Sequence, residues 1–441
     1  MTAPNTLKLF AFNVGFGDCF LLRFGYPEGI NRHVLIDFGA HPAPKRRGHM
    51  KKIADTIASL CGRIDGAGGE LDIVVATHRH KDHISGFATA PDGNGTGDII
   101  ASLNPKMVLQ PWTENPEIAE DATNDDSLMA GTQAFKASLD SMNAFAAALP
   151  ALLGEAVDSN EDAQRFQGEP DTLRIMGENN IPNRSAVENL RTMGGGDKGR
   201  YLHADQPLDV SQVLPGVSVK VLGPPTVKQH PAVASQNPDN EEQYWQLLAA
   251  DAQAASQSGS GKDEGKQQKP PLFPSSVVDM APYARWMRYR LGKLKREMLL
   301  PIVRTLDTAM NNTSLILLFQ AGGKSFLFPG DAQWENWEYA LRNDRYVELL
   351  RNVDLYKVGH HGSRNATPRR LWDLFNKRGD GGTADRLTSV MSTLHGVHGD
   401  SDAKTEVPRM SLVEALKNSS DLHSTEDLEA GRLYDEMTFE L

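Results

Sequence analysis

The chain opens on alternating apolar and polar positions. Leu7-Lys8-Leu9-Phe10-Ala11-Phe12 and Phe20-Leu21-Leu22-Arg23-Phe24 flank the turn Gly15-Phe16-Gly17, a pattern that predicts two paired strands. Val34-Leu35-Ile36-Asp37-Phe38-Gly39 predicts a third. Helical spacing follows over residues 50–61. The apolar run 71–76 then predicts a buried strand leading straight into Thr77-His78-Arg79-His80-Lys81-Asp82-His83. Strand texture returns at 217–222 before the breaker Gly223-Pro224-Pro225, at 314–320 and 324–328 around the hairpin signal Ala321-Gly322-Gly323, and at 354–358 ahead of His360-His361. Strands and helices alternate as in a layered α/β fold, and no repeat of fixed period is visible.

Two stretches interrupt this texture. Residues 101–212 are Ala-rich with acidic patches such as Glu120-Asp121 and Asp125-Asp126, and read as a largely helical insertion. Residues 236–307 read as a second insertion. Its middle, 253–268, is a Ser/Gly/Gln/Lys-rich linker, and 283–304 is a basic amphipathic helix in which Arg285, Arg288, Arg290 and Lys293 interleave with Trp286, Met287, Leu291 and Leu294. Such a helix ordinarily lays a solvated polar face over a packed one; the alternative is a phosphate-facing patch. The core is expected in three pieces: 1–100, strands in 213–235, and 308–441.

Composition narrows the class. At 441 residues the chain exceeds one minimal domain, in keeping with a core that carries insertions. No apolar run approaches the roughly 20 residues of a membrane span, and the N-terminus lacks a secretory signal, so the expectation is a cytoplasmic protein with no membrane partner. Cys19 and Cys61 form no Cys-x-x-Cys spacing, so any metal must be held by His and carboxylates. A net charge of −11 argues against broad coating of nucleic acid, and leaves a local basic groove open.

Three His and one Asp within six residues, just past a buried strand, supply imidazoles and a carboxylate converging from a rigid support, as a metal requires. In an extended segment residues i and i+2 point the same way, so His78 and His80 can share one ion. A helix beginning near Lys81 would project Asp82 and His83 toward a second. The bland alternative, histidines satisfied at the surface or in the core, leaves so dense a run at one strand end unexplained.

With Asp37 upstream and Gly330-Asp331 and His360-His361 downstream, the ordered set resembles the metallo-β-lactamase-fold hydrolases, whose signature is His-x-His-x-Asp-His. Within that family it is similar to the soluble nuclease-like domain of ComEC-type competence proteins. The matching segments are Asn13-Val14-Gly15-Phe16-Gly17-Asp18, Asn311-Asn312-Thr313-Ser314-Leu315, Phe328-Pro329-Gly330-Asp331 and Lys357-Val358-Gly359-His360-His361-Gly362-Ser363. The likeness covers about half of the chain and excludes both insertions. It implies an αββα sandwich, α/β (α+β) in class, of two mixed sheets flanked by helices.

The resemblance also implies two divalent ions, Zn or Mn. The metal ligands would be His78, His80, Asp82, His83, Asp331 and His361, with Asp331 bridging and His361 preferred to His360. Asp82 and Asp331 would be the catalytic carboxylates. Asp37 is expected behind a ligand, since metal-bound His commonly donates its free N–H to a carboxylate. Asp18 reads as a site residue or a turn cap. Asn312, His360, Ser363 and Lys357 are expected at the substrate, Lys357 equally as a snorkelling side chain. Where many relatives carry a further His, this chain has Asn311-Asn312, a departure that favours harder ions.

The expected activity is a phosphodiesterase or nuclease that uses a metal-bridging hydroxide. Two alternatives stand beside it: an acyl hydrolase for lactones or thioesters, and a docking protein with a structural metal, its partner bound through 101–212. His395 and His398 fall on a late loop, as substrate contacts or plain surface.

Overall fold

Alternation gives each strand one face for a shared interior and one for an outer helical layer. The computed structural model describes residues 2–64, 68–116, 183–233, 310–363, 367–382, 385–398 and 406–441, all of which belong to one compact unit. The linker at 253–268 and the basic helix at 283–304 lie outside the described residues.

The first sheet contains β1 (Thr6–Phe12), β2 (Cys19–Gly25), β3 (Asn31–Phe38), β4 (Ile73–Val75), β5 (Met107–Pro111) and β6 (Gly199–Leu202). The second contains β7 (Ser218–Gly223), β8 (Ile316–Ala321), β9 (Lys324–Phe328), β10 (Leu355–Lys357), β11 (Thr388–Met391) and β12 (Asp421–Ser424). A last strand, β13 (Tyr434–Glu440), returns to pair with β1. The orders are β13-β1-β2-β3-β4-β5-β6 and β12-β11-β10-β9-β8-β7. Among the described residues the helices are α1 (His49–Leu60), α2 (Lys81–Ile84), α3 (Thr96–Ala101), α4 (Arg184–Met193), α5 (Trp334–Arg342), α6 (Asp344–Arg351), α7 (Arg369–Leu374) and α8 (Met410–Ser419). None is long and apolar enough to cross a membrane.

Three apolar layers hold these elements together. Between the sheets, Leu9, Phe20, Leu22, Ile36 and Val75 meet Val221, Leu317, Phe319, Phe326 and Phe328. On the outer face of the first sheet, Phe10, Leu21, Leu35 and Val74 pack against Ile53, Ile57, Ile100 and Leu190 of α1, α3 and α4. Beyond the second sheet, Ile316, Leu318, Leu327 and Tyr356 pack against Trp337, Leu350, Leu371 and Leu416 of α5 to α8. The result is the expected α+β sandwich of two mixed sheets between helices.

Both sheets share one wiring. β1, β2 and β3 run antiparallel and β3 to β6 parallel; β7, β8 and β9 run antiparallel and β9 to β12 parallel. The polar anchors match as well. Asp72, just before β4, accepts from the His33 backbone N–H at 2.8 Å and pairs with Arg32 and Lys106. Asp354, just before β10, accepts from the Ser325 N–H at 2.7 Å and pairs with Lys324 and Lys377. This repeat has no fixed sequence period because the connections differ: a short turn joins β1 to β2, whereas the chain between β7 and β8 runs from 224 to 315.

Part of the range expected as a helical insertion, 101–212, completes the first sheet: β5 and β6 pair in parallel at its edge, and α4 covers its outer face. The signal was weak because β5 is buried along its whole length and so shows no alternation.

The ends of β3, β4, β9, β10 and β11 deliver Asp37, the His78 to His83 run, Asp331, His361 and Ser392 to one edge of the sandwich. Two glycines let that edge close. A Cβ on Gly39 would stand 2.4 Å from the His83 backbone N and 2.5 Å from the Asp82 carbonyl carbon; one on Gly17 would stand 2.7 Å from the Asp82 carbonyl O. The close approach is sealed by hydrogen bonds from the Asp18 N–H to the Asp82 carbonyl, 2.8 Å, and from the Gly39 N–H to the Asp18 carbonyl, 3.0 Å. Gly39→Ala is therefore expected to destabilise the fold by about 2 kcal/mol or more. Gly381→Ala, where a Cβ meets nothing within 4 Å, is the control. Chemical denaturation of the two variants should separate them, and equal midpoints would contradict the close-packing argument.

Candidate metal centre

The His run leaves β4, bends at Arg79 and enters α2 at His80, whose φ of −61° and ψ of 149° make it the helix N-cap. Asp82 and His83 thus stand on the first turn, as expected. The structure brings Asp82, His83, Asp331 and His361 together, all buried, with one ligand atom from each lying within 4.8 Å of the others. His83 Nε2 is 3.0 Å from Asp331 Oδ2; His361 Nε2 is 3.2 Å from Asp82 Oδ2 and 3.6 Å from Asp331 Oδ2. Ligand atoms about 2.0–2.2 Å from a common ion at tetrahedral angles stand about 3.3–3.6 Å apart. The spacing fits a metal.

Tautomers follow from the hydrogen bonds. The Thr77 hydroxyl donates its one proton to Asp37 Oδ2 at 2.7 Å, so toward His78 Nδ1, 3.2 Å away, it can only accept. His78 therefore carries its proton on Nδ1 and aims the Nε2 lone pair at His80 Nδ1, 2.9 Å away. Burial, with the charges of His83 and His80, holds His78 well below the ordinary imidazole value, so it is neutral. His83 donates from Nδ1 to Asp37 Oδ2 at 2.8 Å, and His361 from Nδ1 to the Ser392 carbonyl at 3.0 Å, which leaves both Nε2 atoms facing the cluster.

Asp37 stands behind His83 and Thr77. Burial raises its carboxyl above the ordinary value, and His83 offsets this only in part. Its two oxygens accept from the Thr77 N–H, the Thr77 hydroxyl and His83 Nδ1, and so many donors favour the ionised form. Asp37, Asp18 and His83 also form a possible cation group. The His83 Nδ1 they would use is already bonded to Asp37, and the Lys357 ammonium pairs with Asp18. A cation already occupies that corner.

Lys357 is buried and donates to the Gly330 carbonyl at 3.2 Å. It neither snorkels nor faces solvent. Asp331 Oδ1 lies 3.6 Å from this ammonium and accepts from the His360 N–H at 3.1 Å, so only Oδ2 faces the histidines. His361 rather than His360 points inward because both residues adopt the left-handed region, φ +53° and +43°, before Gly362 at +83°. The His360 ring lies at the rim, 24% exposed, with Nδ1 2.9 Å from the Ser363 hydroxyl. Asn312 is buried and its amide donates to Glu335 at 2.6 Å. His395 is exposed and paired with Glu426, whereas His398 packs its ring 4.5 Å from Phe16, which in turn lies 4.4 Å from His361.

Charge explains the rest. Among the described residues, four buried carboxylates, Asp18, Asp37, Asp82 and Asp331, face one buried ammonium, an excess of three negative charges before the histidines are counted. An uncompensated buried ion costs several kcal/mol, so three would rival the total stability of a domain, about 5–15 kcal/mol. Protons or metal ions must enter. Burial alone would depress His83, yet Asp331, Asp37 and Asp82 push it well above the ordinary value. Against the same burial, Asp331 and Asp18 carry His361 up to about 10. Burial would raise Asp82 and Asp331, but the imidazoles around them, His83 foremost, hold both well below the carboxylate range.

Asp18, Lys357 and Thr77 are the members that sequence reasoning left undecided or passed over. The signal for Asp18 is its place directly after Gly15-Phe16-Gly17; nothing in the chain announces that it meets Lys357.

A metal ligand must be neutral imidazole, so loading has to displace the protons that His83 and His361 hold in metal-free protein. Zinc binding at pH 8 is expected to release about one to two protons per chain, and to tighten as pH rises toward about 10. The sign for stability is opposite. A raised His value adds stability that is complete below its ordinary 6.5 and is lost as pH climbs through about 10, so metal-free protein should weaken over that window while loaded protein does not. Calorimetric titration in buffers of different ionisation enthalpy counts the protons, and zero release would contradict the charge assignment.

No protein-family model matches the chain, and no curated protein matches it either.

Proposed function

We propose that this chain is a dinuclear-metal-dependent hydrolase that cleaves phosphodiesters. The observation that carries the reading is the cluster of buried carboxylates and inward-facing imidazole Nε2 atoms, Asp82, His83, Asp331 and His361, where divalent cations would replace the protons that now balance the charge. His78 Nε2 and His80 Nδ1 would hold one ion, and Asp82, His83 and His361 the other. Asp331 would offer Oδ2 as its ligand atom, since its Oδ1 is engaged by His360 and Lys357. Ions bound there would lower the pKa of water and neutralise charge building on a phosphoryl oxygen.

The side chains supply positioning and proton handling. Asp37 and the Ser392 carbonyl fix the tautomers of His83 and His361. Asp82 offers a carboxylate kept ionised by its histidine neighbours as acceptor for the hydrogens of the attacking water. His360 stands at the rim with Nε2 3.9 Å from Asp331 Oδ2. In the tautomer whose Nδ1 accepts from the Ser363 hydroxyl, its Nε2–H would be a donor for a substrate oxygen.

Phosphodiesters are favoured over lactones and thioesters by the likeness of the segments 13–18 and 357–363 to the nuclease-like domain of ComEC-type proteins. That likeness makes nucleic acid the first substrate to test. Asn312 in place of an imidazole favours Mn²⁺ as a competitor of Zn²⁺.

Metal-stripped protein given Mn²⁺ or Zn²⁺ should hydrolyse a chromogenic phosphodiester and single-stranded DNA. The Asp82→Ala variant should be slower by about 10²-fold or more. Lactone or thioester turnover without phosphodiester turnover would replace this reading with the acyl-hydrolase one. Absence of all turnover in protein with two ions bound would leave a structural metal as the better account.

A further inference from the structure

Arg79 lies between His78 and His80, and its side chain takes no part in the ligand set. Arg79 sits at a bend of the chain between the two histidines. The imidazoles of His78 and His80 face each other with centroids 4.6 Å apart. The Arg79 guanidinium reaches Glu114, donating from Nε to Oε1 and from Nη2 to Oε2, each at 2.7 Å. Both side chains are largely sheltered, 17% and 9% exposed. A two-point fork of this kind fixes direction as well as distance, which a lysine in the same place would not.

The far end of the fork is itself anchored. Glu114 closes the short 3-10 turn Trp112–Glu114 that follows β5, the strand beside β4 in the sheet. Trp112 is buried and its indole N–H donates to the Pro225 carbonyl at 3.2 Å. At its N-terminal end the His run is tied by the Thr77 N–H to Asp37 and by the Thr77 carbonyl to the Leu315 N–H, and at its C-terminal end by α2. Arg79 pins the middle, where the two imidazoles that face each other must be held.

We infer that the Arg79–Glu114 pair is a positioning clamp that sets the His78–His80 half of the centre and leaves the other half untouched. The inference rests on the proposed dinuclear reading. The other half draws its order from elsewhere: Asp82 and His83 from α2, His83 also from Asp37, and His361 from the Ser392 carbonyl. Loss of the clamp should therefore weaken one ion and spare its neighbour. A merely destabilising change would loosen both.

The test is equilibrium dialysis of metal-stripped full-length chain against graded Zn²⁺ and Mn²⁺, with thermal unfolding of each metal-free variant alongside. Wild type is expected to take up two ions. Arg79→Met should keep one site at wild-type affinity and weaken the second about 10- to 100-fold, the range for losing a supporting contact of a metal ligand. Arg79→Lys should fall between the two, and the exchange Arg79→Glu with Glu114→Arg should recover part of the lost affinity. The clamp is refuted if Arg79→Met binds both ions as wild type does, or if both sites weaken together with a lowered melting temperature. Wild type that binds no metal would overturn the dinuclear reading itself, an outcome distinct from either.

Discussion

The edge of this sandwich is organised around a charge imbalance. Among the described residues, Asp18, Asp37, Asp82 and Asp331 are buried close together, and the Lys357 ammonium pairs with Asp18 and lies 3.6 Å from Asp331. No arrangement of neutral side chains tolerates three unbalanced charges at that depth. The protonation of His83 and His361, the close Nε2 to carboxylate distances and the single inward oxygen of Asp331 are consequences of the same imbalance. Protons can relieve it, a metal ion would do so in the proposed reading, and the hydrogen bonds behind each group decide which atoms face the cluster.

The fold meets the geometric demand by using one wiring twice. Each half runs three antiparallel strands into parallel ones, and each anchors its central parallel strand with a buried Asp held by a backbone N–H and two cations. The first half contributes Asp37 and the His run from the ends of β3 and β4; the second contributes Asp331 and His361 from the ends of β9 and β10. Glycine at 17 and 39 allows backbones to approach closer than any side chain permits. The site is thus a seam between two similar sheets, and its ligands are carried on strand ends whose positions the apolar layers fix.

Much of this was legible in the chain. The hairpin of β1 and β2, the buried β4 and the turn into α2 follow from alternation, an apolar run and the spacing of the His cluster. Of the pair His360-His361, His361 is the one whose ring turns inward to the cluster, while His360 stays at the rim. What escaped was long-range or unpatterned. Lys357 reads equally as a snorkelling or a substrate-facing residue, because only the tertiary fold places its ammonium against Asp18. β5 escaped because a short strand buried on both faces lacks the period that marks a half-buried one, and β6 is only four residues long. Arg79 carried no reading of its own in the chain, and only the fold brings Glu114 from the neighbouring strand end to its guanidinium.

The central claim is that the buried carboxylates await divalent cations rather than protons alone. Anomalous diffraction from crystals grown with Zn²⁺ or Mn²⁺, collected on both sides of the metal absorption edge, tests it directly. The account predicts two peaks about 3.5–4 Å apart, one against His78 and His80, the other against Asp82, His83 and His361, with Asp331 between them. Featureless anomalous maps at saturating metal, with the His83–Asp331 and His361–Asp82 contacts unchanged, would contradict it and leave a proton-balanced ion-pair network in its place.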